Sequence, residues 1–183
     1  MVLTDDQGVA ERLRSLRNLC FDPNQRFVHT DLGYNARMTA IQAALGLGQV
    51  GQLSKTIARK RQIAARYNDL FAKISYLQLP VDASSDARNT YWAYGLVLSD
   101  LVPFDAKELA MRLNKLGIST RPFFWPMHQQ PVFKRRGLFL DQSYPVSERL
   151  ARRGLYLPNG LSISDDEQHY VASTIIRILE GSL

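Results

Sequence analysis

The feature that most restricts this chain is the punctuation of its second half, where strand-like apolar runs alternate with segments whose first turns carry capping residues. Thr90-Tyr91-Trp92-Ala93-Tyr94-Gly95-Leu96-Val97-Leu98 is aromatic and aliphatic enough to predict a strand. Asp105-x-x-Glu108 has the spacing of a capping box, Leu109, Leu113 and Leu116 recur on a helical period, and Gly117 supplies the expected stop. Ile118-Ser119-Thr120-Arg121 predicts a second strand, ending at Pro122-Phe123-Phe124-Trp125-Pro126-Met127-His128. Pro145 to Arg153 reads as a short helix and Gly154-Leu155-Tyr156-Leu157-Pro158 as a third strand. Ser164-Asp165-Asp166-Glu167 is a second capping box, opening a last helix through Val171, Ile175, Ile176 and Leu179. Alternation of this kind predicts an α/β chain whose C-terminal module is α+β, with helices on one face of a small sheet.

The first half is helical in pattern. Val9, Leu13, Leu16 and Leu19 give Asp6 to Leu19 an apolar stripe opposed by arginines. Phe21 to Tyr34 lacks that period and carries Pro23, Asn24, Asp31 and Gly33, which predicts a loop displaying backbone and polar groups. From Thr39 a small-residue-rich helix is expected to run on through Leu53, Ile57, Ile63, Ala64, Tyr67, Leu70 and Phe71. Gly46, Gly48 and Gly51 are its expected points of bend or break. The division expected is a helical region with this connecting helix over residues 1–75 and the small module over residues 76–183, the run from Pro80 to Asp86 forming a surface connection.

Composition narrows the class. The chain has 183 residues, 45% hydrophobic and 22% charged, enough apolar material for a core. No apolar run approaches the ~20 residues of a membrane span, and the acidic start is unlike a leader, so a cytoplasmic protein with no membrane partner is expected. Cys20 is the only cysteine, which excludes an internal disulfide and a thiolate metal cluster; between Leu19 and Phe21 it reads as a small buried hydrophobe rather than a reactive thiol. The net charge of +6 is concentrated at Lys55, Arg59, Lys60 and Arg61, at Lys134-Arg135-Arg136, and at Arg149, Arg152 and Arg153. At helical spacing such clusters read as solvated faces, and no nucleic-acid-binding motif accompanies them, so an acidic small molecule or protein is the expected partner rather than nucleic acid.

Arg121, Phe124, Trp125 and His128 join a cation, an imidazole and flat aromatic faces, a set suited to an anionic, ring-bearing ligand, although an aromatic strand end also serves as core. His29 has no second ligand nearby, and His169 is expected on the exposed side of the last helix. Neither a metal motif, a nucleophile elbow nor a glycine-rich phosphate loop is present.

One long segment goes further. Gly33-Tyr34-Asn35-Ala36-Arg37-Met38-Thr39-Ala40-Ile41-Gln42-Ala43-Ala44 resembles the Gly-Tyr-Asn-Tyr-Arg-Met-Thr-x-Ile-Gln-Ala-Ala signature of the DegT/DnrJ/EryC1/StrS family of pyridoxal-phosphate sugar aminotransferases. Arg59-Lys60-Arg61-x-x-Ala64-x-x-Tyr67-Asn68, Gly117-Ile118-Ser119-Thr120-Arg121 and Pro126-Met127-His128-Gln129-Gln130-Pro131 are similar to later family segments. Within the family, the segments Pro122 to His128 and Ala151 to Pro158 look most like members that aminate a GDP-linked 4-keto-6-deoxymannose from glutamate.

The resemblance implies the C-terminal part of a type I aminotransferase fold and a homodimer with its sites at the subunit interface. It implies that Asn35 reaches the cofactor phosphate of the partner subunit, that Arg37 contacts the cofactor or orders the loop, and that Arg121, Phe124, Trp125 and His128 border a nucleotide-sugar site. It also implies a departure. Met1 to Asp6 is similar to the family segment just after the Schiff-base lysine, so the lysine that holds pyridoxal phosphate and moves the proton is expected to be outside this chain. Lys55, Lys60, Lys73, Lys107, Lys115 and Lys134 fall in charged helix faces or loops and offer no substitute. The chain alone is therefore expected to bind no cofactor and to be catalytically inactive, with a non-catalytic dimerisation or ligand-binding module as the alternative.

Overall fold

Asp6 closes the N-terminal end of the first helix, α1 (Gln7–Arg17), by accepting a hydrogen bond from the Val9 amide at 2.9 Å. The computed structural model describes residues 2–25 and 27–181, which divide into one unit ending at Leu53 and a second beginning at Ser54. In the first unit the chain reverses just after α1, with Leu19 and Cys20 in the left-handed region at φ 65° and 49°. Gly33 makes that reversal feasible: a Cβ there would lie 2.6 Å from the Cys20 nitrogen and 2.7 Å from the Leu19 Cα. Cys20 is fully buried, as its context predicts, and its thiol faces the Leu32 carbonyl oxygen at 3.6 Å.

The helix α2 (Ala40–Gly51) opens on a reciprocal capping box between Thr39 and Gln42. It ends at Gly51 with Gln52 as its C-cap, and α3 (Leu53–Phe71) begins directly after the cap. The single helix expected from the period is thus two, broken beside Gly51, one of the three expected break points. No α2 side chain is buried; Ile41, Leu45, Leu47 and Val50 are each 66–76% exposed.

The second unit is built on a four-stranded antiparallel sheet of order β1-β2-β4-β3, from β1 (Leu77–Gln78), β2 (Tyr94–Leu98), β3 (Arg121–Pro122) and β4 (Gly154–Leu157). Its helices are most of α3 with α4 (Ala106–Lys115), α5 (Pro131–Lys134), α6 (Pro145–Arg153) and α7 (Asp165–Glu180). Tyr94, Leu96 and Leu98 pack with Leu155 and Leu157 against Ile63, Tyr67 and Phe71 of α3, Leu109 and Leu113 of α4, and Val171, Ile175 and Leu179 of α7. That is the expected module, helices against one face of a small sheet.

The period-2 alternation places Gly95, Val97, Gly154 and Tyr156 on the other face. Here the ring of Phe123 lies on the two glycines: a Cβ on Gly95 would meet Phe123 Cζ at 2.8 Å, and one on Gly154 would overlap the same ring. The segment after β3 is thereby fixed flat over β2 and β4, with the Phe123 amide donating to the Gly154 carbonyl at 3.3 Å.

Four local expectations change. The strand predicted from Thr90 begins at Tyr94, because Tyr91 is left-handed at φ 51° and its amide donates to Asn89 Oδ1, closing a turn. The strand predicted over 118–121 is displaced to Arg121–Pro122, and the two-residue β1 was not foreseen. At α4, Asp105 caps the Glu108 amide, but Glu108 pairs with Arg112 at 2.8 Å instead of reaching back, so the box is one-sided. Leu116, assigned to the apolar stripe, is 41% exposed at the C-cap.

Candidate ligand site

At the end of the sheet where β2 and β3 begin and β4 finishes lies a cavity of about 440 Å³. Its walls are the turn before β2 (Trp92, Ala93), the approach to β3 (Ser119, Thr120, Arg121, Pro122) with Phe124, and the end of β4 (Tyr156, Leu157) with Pro158 and Asn159. Tyr156 is the centre of an aromatic cluster, its ring centroid 4.6 Å from Phe123, 6.1 Å from Trp92 and 6.5 Å from Phe124. Arg121 is exposed and, among the described residues, its side chain has no hydrogen-bond or ion-pair partner. The combination of an uncommitted guanidinium, the hydroxyls of Ser119, Thr120 and Tyr156, and three ring faces suits flat, anionic molecules, held by stacking and charge-assisted hydrogen bonds.

The six residues singled out from the sequence are placed unevenly. Arg121 and Phe124 line the cavity. Trp125 is 52% exposed and is not one of its walls, and its carbonyl accepts from Gln130 Nε2 at 3.4 Å. His128, in the 3-10 turn Met127–Gln129, is only 6% exposed, and its Nε2 stands 2.9 Å from Glu148 Oε1. Hydrogen bonds from the Tyr144 amide, from His128 and from Ser143 hold the Glu148 carboxyl below its ordinary range, so it is an acceptor and Nε2 the donor. Asn35 and Arg37 lie in the first unit, both exposed, with Arg37 Nε donating to Asn35 Oδ1 at 3.2 Å and Asn35 bridged to Asn18 through the backbone.

Trp92, Tyr156, Ser119, Thr120 and Asn159 were not singled out. The signal for Tyr156 was present in the sequence, since a tyrosine between Leu155 and Leu157 must face away from a core that takes both leucines. Trp92 is held by the left-handed turn at Tyr91, which no period reveals.

A larger hollow of about 740 Å³ lies in the first unit between α1 and the segment containing Tyr34 and Ala36. It is walled mainly by Val2, Leu3, Ala10, Leu13 and Leu16 and offers Arg14 and Arg17 as its only cations, so its character is that of an uncovered packing surface. The smaller cavity carries the chemistry. His29 stacks near Phe21 with Nδ1 2.7 Å from the Leu19 carbonyl oxygen, His169 is exposed, and no group of metal ligands occurs among the described residues.

Solved structures that share this architecture include aminotransferases. The chain superimposes on S. venezuelae DesV, solved in complex with a ketimine intermediate, with a TM-score of 0.83 and 28% identity, over 97% of this chain and 46% of that one. Streptoalloteichus hindustanus aminotransferase TlmJ gives 0.82 and 25%, again over 97% and 46%. The DegT/DnrJ/EryC1/StrS aminotransferase family matches residues 1–176, and the chain belongs to that family. Among characterised relatives it is 32% identical to the GDP-perosamine synthase of Escherichia coli O157:H7 over 176 residues, 96% of this chain and 46% of that protein. It is 27% identical to the enzyme of the same name from Caulobacter vibrioides, over 98% and 47%. The chain thus spans about half the length of the relatives it matches.

The side chains present fit only part of the family's cofactor. The exposed Asn35 amide and Arg37 guanidinium are donors suited to a phosphate. The aldehyde end needs an enclosed lysine, and Lys55, Lys73, Lys107, Lys115 and Lys134 are all exposed, whereas the partly buried Lys60 is committed to carbonyl oxygens. The residues of this chain therefore do not fit the whole group.

Proposed function

We propose that this chain supplies the substrate-side elements of a sugar-nucleotide aminotransferase and does not itself carry out amino transfer. The observation that carries this reading is the unpaired Arg121 beside the rings of Trp92, Phe124 and Tyr156 in one cavity. A nucleotide diphosphate sugar has the two features such a wall recognises, a flat base and a negative linker. Likeness to GDP-perosamine synthases favours a GDP-linked 4-keto-6-deoxy sugar, with glutamate as amino donor in a complete enzyme and surface-polysaccharide synthesis as its setting. His128, locked to Glu148, shapes the segment that follows the cavity, and Trp125 offers an apolar rim. Asn35 and Arg37 are assigned to a cofactor phosphate, with Asn35 acting across a subunit interface.

The test is titration of the ¹⁵N-labelled chain with GDP, UDP and dTDP. GDP is expected to shift the Trp92 indole and Arg121 side-chain signals most strongly. If all three nucleotides leave both signals unmoved, the cavity is not a nucleotide site. Inactivity is tested separately: incubated with pyridoxal phosphate and dialysed, the chain is expected to show no aldimine absorbance, and borohydride is expected to modify no lysine. A single reduced lysine would overturn it.

A second reading, a non-catalytic association module, is favoured by α2, whose apolar residues all face water. It makes self-association the chain's main activity.

A further inference from the structure

Three consecutive cations of α3 donate mainly to backbone carbonyls, with Gln62 Oε1, 2.9 Å from Arg59, and Asn159 Oδ1, 3.0 Å from Lys60, as the side-chain oxygens they also reach. Arg59 donates to the carbonyls of Leu161 and Ile163 at 3.2 and 2.6 Å, Arg61 donates to the carbonyl of Asn89 at 3.0 Å, and Lys60 donates to Asn159 and Trp92. Among the described residues, no carboxylate lies within 4.0 Å of any of the three. The stretch expected to be a solvated face is partly buried, and its charge is directed at backbone oxygens of two loops, 89–92 and 159–163.

Lys60 stands between those loops. Its ammonium donates to the Asn159 backbone oxygen, to Asn159 Oδ1 at 3.0 Å and to the Trp92 carbonyl at 3.4 Å. Asn159 in turn donates from Nδ2 to the Tyr91 carbonyl at 3.0 Å. Trp92 and Asn159 are both walls of the cavity that holds Arg121. Three donors on one ammonium, met by oxygens of two segments that have no strand pairing with each other, form the only direct side-chain tie from α3 to both walls among the described residues.

We propose that Lys60 is a positioning residue: it clasps the Trp92 turn to the Asn159 loop and so sets the width of the cavity mouth. An ammonium suits this task because its donors are not confined to a plane and can serve carbonyls arriving from different directions, whereas a guanidinium is a rigid fork. Burial lowers the Lys60 pKa and no anion offsets that effect, so the charge is retained against a local desolvation cost rather than for an ion pair.

The inference rests on the reading of the cavity as a nucleotide site, and its test separates the two. Lys60→Met is expected to move the Trp92 indole and Asn159 side-chain amide signals of the chain labelled with both ¹⁵N and ¹³C while the methyl signals of Leu96 and Leu113 stay in place. The thermal midpoint is expected to remain within about 4 °C of the parent. Affinity for GDP, the probe used, is expected to fall about tenfold, the equivalent of one lost charge-assisted hydrogen bond. Lys60→Arg, which restores the charge but confines its donors to a plane, is expected to recover only part of both effects, and Asn159→Ala, which removes the Oδ1 contact with Lys60 and the Nδ2 contact with the Tyr91 carbonyl but leaves the Asn159 backbone oxygen, to move the Trp92 signal in the same direction by a smaller amount. Unmoved Trp92 and Asn159 signals in Lys60→Met, or core methyls that move as far as they do, would overturn the clasp. Absence of GDP binding by the parent chain would overturn the nucleotide reading alone, leaving the clasp to be decided on those signals.

Discussion

His128 Nε2 and Glu148 Oε1 stand 2.9 Å apart, both side chains largely enclosed, and join the turn after the aromatic segment to the first turn of α6. The Glu148 carboxylate also accepts from the Tyr144 amide at 3.0 Å and Ser143 Oγ at 3.3 Å. Because these donors depress its folded-state pKa below the ordinary 4.5, the stability it contributes is fully present above that value and is lost as pH falls through the depressed one. Glu148→Gln is therefore expected to be less stable than the parent at neutral pH and to lose less on acidification. Thermal melts followed by circular dichroism from neutral to acid pH check both slopes.

The Phe123 ring and the glycines beneath it give a double-mutant test. Gly95→Ala forces a methyl against Phe123 Cζ and is expected to destabilise the second unit by about 1–3 kcal/mol, the range of overpacking. In a Phe123→Ala background the added methyl escapes the ring and meets only Tyr156 Cδ1 at 3.3 Å, so its effect is expected to shrink. Urea unfolding of the four variants measures the coupling, and additive effects would show that the ring does not rest on the glycine.

Gly33→Ala addresses the first unit. The new Cβ would collide with the backbone of Leu19 and Cys20, which cannot swing away as a flexible side chain would. The reversal is expected to open and expose Cys20, buried in the parent. Titration with an aromatic disulfide should find the thiol silent in the parent and reactive in the variant.

Leu45, 69% exposed at the middle of α2, is the residue with which to test association. Burying a leucine side chain contributes roughly 1.5–3 kcal/mol, so Leu45→Lys is expected to weaken self-association by tenfold or more. Sedimentation over a range of concentrations reads this directly, and an unchanged profile would place the contact elsewhere.

Three helix starts were legible because their signals are local: helices were expected from Asp6, Thr39 and Ser164, and each of these residues caps the helix it precedes. The strands were less legible, since β1 and β3 have two residues each and depend on partners far along the chain. Tyr91 shows the limit most plainly. Nothing in its neighbours announces a left-handed tyrosine, yet that conformation shortens β2 and presents Trp92 to the cavity. Of the site, Arg121 and Phe124 were visible as chemistry, whereas Lys60 was hidden because a lysine bonded to carbonyls has the same sequence pattern as one in water.

The seating of one aromatic ring on two hydrogens also bears on descent. A side chain larger than hydrogen at position 95 or 154 crowds a phenylalanine at position 123 in this packing. Enlarging position 95 meets less conflict once position 123 has lost its ring, whereas at position 154 the Leu150 carbonyl oxygen, 2.6 Å from a Cβ, opposes enlargement whatever stands at 123. Positions 95 and 123, remote in sequence, are therefore coupled, and relatives that lack Gly95 are expected to carry a different lining next to the cavity.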